Sequence, residues 1–295
     1  MTRETIGNPI SWSAQRLADI GHGLGHAVQG MGTHDMTRPQ VNRIGMSDIR
    51  AALREGIEDF TALRSDILVL VFLYPVIGFT LAVWAFNAGQ IHLLFPLVAG
   101  FPLLGPVAAL GLYEMSRQRE RGKHATWASA LHVLRGRVLG PVMVLAAMLA
   151  VVFVLWLVAA HMIWVTTLGP QPSVSLTAFV RDTLTTPAGW EMMLFGGALG
   201  FGFAAIVLCL TIVSFPMLLD RPVGVPMAMA TSLEVVRRNP GTVAMWGLIV
   251  ATLLLLGSLP LFVGLIVVLP VLGHATWHLY RRAVSWPDQR MRLRR

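Results

Sequence analysis

Hydrophobic residues are grouped along this chain into six long blocks that contain no Asp, Glu, Lys or Arg. About 20 apolar residues in a helix cross the hydrocarbon core of a bilayer, so blocks of this length are typical of membrane spans. The pattern therefore predicts an all-α fold, a six-span transmembrane helix bundle. The predicted spans cover residues 67–86, 91–113, 138–165, 192–215, 242–258 and 260–280.

The second block differs from the others because prolines and glycines interrupt it. In water such a segment would not hold a helix, since each interior proline removes a backbone hydrogen bond and clashes with the preceding turn. In a membrane an unsatisfied backbone costs more, so the helix persists with a kink that its neighbours support. We predict a bent helix inside the bundle. The interrupting residues are Pro96, Gly100, Pro102, Gly105, Pro106 and Gly111.

The distribution of basic residues predicts the orientation of the spans. The first and second blocks, like the fifth and sixth, are joined by short turns without Lys or Arg, and these turns must share one side of the membrane. Of the 23 Lys and Arg residues, 22 lie on the other side, and Arg181 is the exception. The positive-inside rule then predicts that both termini are cytoplasmic.

The overall composition agrees with a membrane protein and explains the net charge. The chain is 55% hydrophobic and 13% charged, whereas ordinary soluble domains are about 25% charged. The net charge of +8 comes from arginine on the cytoplasmic side, where it attracts anionic lipid headgroups. We therefore expect the lipid bilayer and other membrane proteins as partners, and no nucleic acid.

Three amphipathic stretches precede the first, third and fifth spans, and each ends in an arginine. Apolar residues lie seven, four and one positions before Arg64, Arg135 and Arg237, which places them on one face of a helix. The pattern indicates three repeats of a surface helix plus a membrane hairpin. The alternative is three unrelated helices that obey the same interfacial physics.

The most regular of these stretches is the helix predicted at 48–64, with Ser47 or Asp48 as its N-cap. We expect its apolar stripe to face the inner membrane surface or the bundle. The stripe consists of Ile49, Leu53, Ile57, Phe60 and Leu63.

The two ends of the chain differ from the membrane domain, which we place at 47–285. Residues 1–46 are rich in glycine and predict a flexible cytoplasmic tail, and 286–295 form a basic cytoplasmic tail. The first 60 residues contain no apolar segment of the kind that a cleavable signal peptide requires.

Several strings in this sequence resemble a known family. They are GFPLLGPVAALGLYEMSR at 100–117, FPMLLD at 215–220, Asn239-Pro240-Gly241, and LPVLGHATWHLYRR at 269–282. Together, over about residues 48 to 285, they are similar to bacterial predicted integral membrane proteins of unknown function, the domain-of-unknown-function family 2189. The resemblance implies a membrane architecture in a bacterial cytoplasmic (inner) membrane, and it supplies no catalytic or binding residues.

His274 and His278 are the candidate cofactor-binding residues. Four positions apart on one helical face, two imidazoles can share a metal or flank a haem. However, Trp277, Tyr280 and Arg281 beside them are typical of an interfacial belt, and the spans offer no Cys, Asp or Glu as a third ligand. We therefore expect a structural, hydrogen-bonding role, with no metal site and no cofactor.

The remaining candidate residues favour structural interpretations. His22 and His26 would share a face with Asp19, but on a glycine-rich tail. His161 lies among tryptophans near the outer end of the third span, and the only cysteine, Cys209, lies in an apolar run. Glu114 is expected to pair with a nearby arginine at headgroup level.

No enzyme signature such as a P-loop, Gly-x-Ser-x-Gly or His-Glu-x-x-His is present. The spans also contain none of the buried charges that ion-coupled transporters use. We therefore favour a non-enzymatic scaffold, assembly factor or accessory subunit of a membrane complex. The alternatives are a channel or carrier for a small neutral or amphiphilic solute and, third, a membrane enzyme.

Overall fold

The computed structural model describes residues 38–63, 76, 79–80, 83–87, 90–100, 105–126, 138–169, 175–260 and 262–287. The fold of these residues is all-α, apart from two strands of two residues each. The elements are β1 (Gln40–Val41), α1 (Met46–Ala62), a 3-10 turn (Ile91–Leu93), α2 (Leu94–Gly100), α3 (Gly105–Ala108), α4 (Leu110–Glu120), α5 (Leu139–Thr167), α6 (Leu176–Thr185), α7 (Pro187–Thr211), α8 (Ser214–Asp220), α9 (Val225–Arg238), α10 (Pro240–Ser258), α11 (Leu265–Ala283) and β2 (Val284–Ser285).

Among the described residues, three helical segments are long and apolar enough to cross a membrane: Leu139–Thr167, Pro187–Asp220 and Pro240–Ser258. They correspond to the third, fourth and fifth predicted spans, and the third begins one residue later than predicted. At most 33% of the most apolar part of each segment is buried, so most of its apolar side chains face outward, where lipid can solvate them.

The other predicted spans have different outcomes. Most of the first lies outside the described residues, and the sixth is described as α11, which is not among the three candidate spans. The count of six therefore stays a prediction. The second is described as α2, α3 and α4, with a turn at Ala109 and with 101–104 outside the described part. Trp156 of α5 donates a hydrogen bond of 2.9 Å from its indole to the Pro96 carbonyl of α2, which is how a neighbouring helix supports this proline-rich segment.

The core lies at the arginine-bearing end of the molecule rather than midway along the long helices. We call this end the basal layer: α1, α4, α8, α9, the second half of α11 (274–283), and the β1–β2 ladder. Its largest fully buried side chains include Trp277, Trp286, Tyr280 and Phe215. Aromatic burial here links the ends of the long helices into one packed unit.

Helix α1 runs antiparallel to α11 and packs along its second half. Strands β1 and β2 continue the pairing, with Gln40 opposite Ser285. A Cβ added to Gly56 would lie 2.8 Å from the Val271 carbonyl oxygen and from the Cβ of Ala275, so the two backbones approach closely. The predicted helix therefore lies against the bundle, and it begins at Met46, two residues before the predicted start.

The buried face of α1 agrees with the predicted stripe at Ile49, and at Leu63 directly after the helix, and differs from it in between. It consists of Ile49, Ala52, Gly56 and Asp59, whereas Ile57 is 51% exposed. Close approach to α11 requires small residues on the contact face of α1. The buried face is therefore shifted by about one position along the sequence from the predicted apolar face. Helix α9 shows the same shift, because Ala228, Ser232 and Val235 are buried while Ala230 is exposed.

Part of the predicted N-terminal tail belongs to this packed unit. The Asn42 amide nitrogen donates a backbone hydrogen bond to Ala283, and the Ile44 nitrogen donates to the Asn239 side chain at 2.9 Å. At the other end, packing extends to Trp286. The remaining parts of the two predicted tails, residues 1–37 and 288–295, lie outside the described residues. The amphipathic stretch before Arg135 also lies outside them, so the threefold repeat stays a prediction.

Candidate functional site

A buried polar cluster lies where α1, α4 and α11 meet. Gly56 of α1 fits against α11, and Gly273 of α11 fits against Leu112 of α4. Because these glycines let the three helices approach closely, the polar residues beside them come within hydrogen-bond distance of one another. We call them the Asp59 network: Asp59, Ser116, Arg119, His274 and His278.

Asp59 is the centre of this network, and its carboxylate is 8% exposed. Its Oδ2 accepts from the Ser116 hydroxyl at 2.6 Å and from His278 Nε2 at 2.8 Å. Its Oδ1 accepts from Arg119 at 2.8 Å. Ser116 Oγ also lies 2.7 Å from Nδ1 of His274, which is fully buried. A buried carboxylate with this many donors is compensated for the loss of water.

His278 bridges two carboxylates. Its Nε2 faces Asp59, and its Nδ1 lies 3.1 Å from Glu55 Oε2. Arg282 makes a bidentate pair with the same Glu55, at 2.6 and 2.9 Å. With a carboxylate oxygen near each nitrogen, the ring connects Asp59 and Glu55 across α1 and α11.

The surroundings shift the pKa of both carboxyl groups. Burial alone would raise the pKa of Asp59, but the hydrogen bonds from His278 and Ser116 and the charge of His278 outweigh it and lower the pKa. The hydrogen bond from Arg282 lowers the pKa of Glu55, against a smaller opposing effect of burial. Both groups therefore remain ionised at neutral pH.

A second set of ionic contacts surrounds Asp220, which closes α8 and is 7% exposed. The Tyr280 hydroxyl donates to it at 3.0 Å, and Arg281 lies 3.4 Å away. Arg117 and Arg121 of the α4 segment face its other oxygen at 3.8 and 3.7 Å. Asp220 thus joins α8 to both α4 and α11.

A charged depression of about 380 Å³ opens on the surface over the Asp59 network. Residues from α1, α4 and α11 line it, among them Glu55, Asp59, Arg119 and His278. Both signs of charge are present in nearly matched pairs. The depression therefore provides aqueous access to Asp59 without a strong preference for anions or cations.

In the structure Nδ1 of His274 and Nε2 of His278 lie 3.9 and 2.8 Å from the same oxygen, Asp59 Oδ2. The neighbouring Trp277 and Tyr280 are buried in protein, so the histidines lie in the core of the basal layer instead of a headgroup belt. The predicted interfacial belt is not found at Trp277 and Tyr280, because α1 covers this face of α11. That the pair binds no cofactor stays a prediction.

The other candidate residues have clear surroundings where they are described. Glu114 pairs with Arg117 at 2.9 Å, as expected. His161 lies 2.9 Å from His92, a residue that the sequence analysis did not single out, and His92 stacks on Trp164. His22, His26 and Asp19 lie outside the described residues.

No sequence pattern singled out Asp59, Ser116 and Asp220 as site residues. Asp59 is not one of the residues of the predicted apolar stripe, yet it shares a helical face with Ala52 and Gly56. A carboxylate in line with small residues was the available signal, because small residues mark close helix packing. The contacts of Ser116 and Asp220 depend on distant segments and gave no local signal.

Comparison with known proteins gives a family match for the middle part of the chain. Residues 94–220 match the model of the family described as predicted integral membrane protein (DUF2189), which confirms the resemblance over that range. The strings at 239–241 and 269–282 lie outside the match. Neither the curated proteins nor the solved structures include a match to this sequence. The chain is an integral membrane protein, and the family that its residues 94–220 match is described without an activity.

Proposed function

We propose that the protein is a non-enzymatic, six-span membrane protein that acts as a scaffold, assembly factor or accessory subunit of a membrane complex. It lies in a bacterial cytoplasmic membrane with both termini cytoplasmic. The basal layer then faces the cytoplasm, where its exposed arginines meet anionic headgroups.

The observation that carries this proposal is the outer face of α7. Leu194 and Phe201 are 70% and 77% exposed, and Gly197 between them has nothing within 4 Å of an added Cβ. In a membrane, a glycine on an outward helical face permits the close approach of another helix. By contrast, Gly200 is already occupied, since its added Cβ would lie 2.9 Å from Trp156.

This pair of glycines provides a matched test. Gly197→Leu is expected to abolish stoichiometric co-purification of a membrane partner in mild detergent while the melting temperature of the isolated protein stays unchanged. Gly200→Leu is expected to lower that melting temperature because it separates α7 from α5. Mass spectrometry and thermal melting are the two measurements.

Two outcomes would contradict the proposal. The wild-type protein could purify without any stoichiometric partner after cross-linking in native membranes. Alternatively, Gly197→Leu could retain the same partner at the same ratio, which would assign the outer face of α7 to lipid.

A channel or carrier for a small neutral or amphiphilic solute is the second candidate. It is favoured by the interruption of the second span between α3 and α4, since transporter sites are built at broken helices. Solute flux into liposomes that contain the purified protein tests it. Flux equal to that of empty liposomes across neutral and amphiphilic solutes would exclude this candidate.

A further inference from the structure

Helix α6 exposes two adjacent rows of side chains that differ in polarity. Residues four apart lie on the same side of a helix, and consecutive residues lie about 100° apart. We call the two rows of α6 the apolar row, Leu176, Val180 and Leu184, and the polar row, Thr177, Arg181 and Thr185. The side chains of the apolar row are 40%, 45% and 53% exposed. An apolar row on a helix normally faces the protein core, so its exposure here requires an explanation.

The opposite side of α6 is fixed against the protein. The helix packs on α7 and on the 3-10 turn at Ile91–Leu93. A Cβ added to Gly189 of α7 would lie 2.5 Å from the Cα of Thr183, so the backbones of α6 and α7 approach closely there. The Thr183 hydroxyl oxygen is buried. These contacts hold the apolar row on the outside of the molecule.

The position of α6 in the fold is next to a membrane-spanning segment. Only Thr186 separates α6 from α7, and the other end of α7 contacts the basal layer, where Ser232 donates to the Cys209 carbonyl. Helix α6 therefore lies roughly 30 Å from the basal layer, about the thickness of the hydrocarbon core. Trp190 of α7 is 61% exposed and precedes the exposed Glu191, a combination typical of the headgroup level.

Both ends of α6 have partners for their backbone groups. The Ser175 hydroxyl accepts from the Ala178 nitrogen at 3.2 Å. At the other end, the Thr185 hydroxyl donates to the Arg181 carbonyl at 2.7 Å, and the Thr186 hydroxyl donates to the Asp182 carbonyl at 2.6 Å. A helix with satisfied ends can lie in a layer that contains little water.

The size and charge of this surface favour lipid over a protein as its partner. A stable protein interface buries about 1,000 Å² or more, which three aliphatic side chains do not supply. The apolar row is continuous along the chain with the outward face of α7, where Leu194 is 70% exposed. Arg181 already pairs with Asp182 at 3.1 Å, so α6 carries no net charge that would require anionic lipid.

We propose that α6 is an interfacial helix that binds the lipid bilayer at the end of the molecule opposite the basal layer. The apolar row inserts at the boundary between headgroups and acyl chains, and the polar row faces the headgroups and water. This lipid-binding surface goes beyond the scaffold role. It depends neither on that role nor on which side of the membrane the basal layer faces.

The test is electron paramagnetic resonance of the full-length protein in phosphatidylcholine nanodiscs, in a Cys209→Ala background. A nitroxide label is attached to Val180→Cys in the apolar row or to Thr177→Cys, the matched control in the polar row. Oxygen concentrates in lipid and a nickel chelate stays in water, so the ratio of their collision rates reports depth. We expect this ratio to be about fivefold higher for the label on the apolar row.

Leu184→Cys and Thr185→Cys repeat the comparison if one of the first variants does not fold. The same difference is expected in phosphatidylglycerol nanodiscs, because the apolar row and not charge drives the binding. Equal ratios in the two rows would place α6 in water and overturn the proposal. A label on the apolar row that neither reagent reaches would also overturn it, since the row would then be covered by protein. So would a difference that is found only with the anionic lipid.

Discussion

Gly56 of α1 packs directly on Ala275 of α11, so closely that an added Cβ would lie 2.8 Å from both the Cβ and the backbone nitrogen of Ala275. Backbone atoms cannot move aside as a flexible side chain can. This single contact sets the distance between the two helices, and the hydrogen bonds of the Asp59 network depend on that distance.

Gly56→Ala is therefore expected to destabilise the protein. Overpacking of this kind costs about 1–3 kcal/mol, even though alanine favours the helix more than glycine does. Thermal melting in detergent measures the effect. Gly196→Ala is the control, since nothing lies within 4 Å of its added Cβ. Equal melting temperatures for both variants would show that α1 and α11 are less tightly packed than described.

Asp220→Asn is expected to lower stability much more than Asp182→Asn. The buried Asp220 carboxylate compensates Arg281 and the α4 arginines, so its removal leaves charge uncompensated, at a cost of about 3 kcal/mol. Asp182 is 39% exposed, and among the described ion pairs it pairs only with its neighbour Arg181. Loss of such an exposed ion pair costs about 0–1 kcal/mol of stability. Denaturation of the two purified variants compares them, and similar losses would contradict the role of Asp220.

Stability should fall at acidic pH because of Asp59 and Glu55. Their pKa values in the folded protein lie below the ordinary values of 3.8 and 4.5. A lowered folded pKa contributes stability that is present above the unfolded pKa and is lost as pH falls through the folded one. Melting temperature should therefore be constant above about pH 5 and decrease below pH 4.

Asp59→Asn tests that assignment. This variant should be less stable at neutral pH, and its melting temperature should depend less on pH between 5 and about 3 than that of the wild type. Asp182→Asn should keep the wild-type pH dependence. If Asp59→Asn shows the full wild-type slope, other groups cause the acid sensitivity.

Cysteine labelling in a Cys209→Ala background tests the proposed orientation. Thr177→Cys, near the start of α6, should react with an impermeant reagent added outside intact cells. Lys123→Cys, after α4, should react only when the membrane is opened. Both positions are exposed, so accessibility from one side decides the result. The opposite labelling would reverse the topology.

Purified protein is expected to contain no stoichiometric metal and no haem. Both nitrogens of His278 face carboxylates, and Nδ1 of His274 faces Ser116, so the pair does not present two free lone pairs to one ion. Elemental analysis and the visible absorbance spectrum are the measurements. One metal per chain that is lost in His278→Gln would show that the site rearranges to bind it.

The sequence by itself determined the all-α class and the apolar segments, because both depend on local chemistry. Runs of uncharged apolar residues such as 138–165 need only their own length and hydropathy to indicate a membrane helix. The pairing of Glu114 with Arg117 was equally local, since residues three apart on a helix are neighbours.

Only the tertiary structure decided what His274 and His278 contact. Their partners, Ser116 and Asp59, lie 158 and 219 residues away along the chain, and no periodicity connects such positions. The inward face of α1 was also a tertiary result. Hydrophobicity alone selects Leu53 and Ile57, but close packing against α11 selects the small face with Gly56, and this carries Asp59 into the protein.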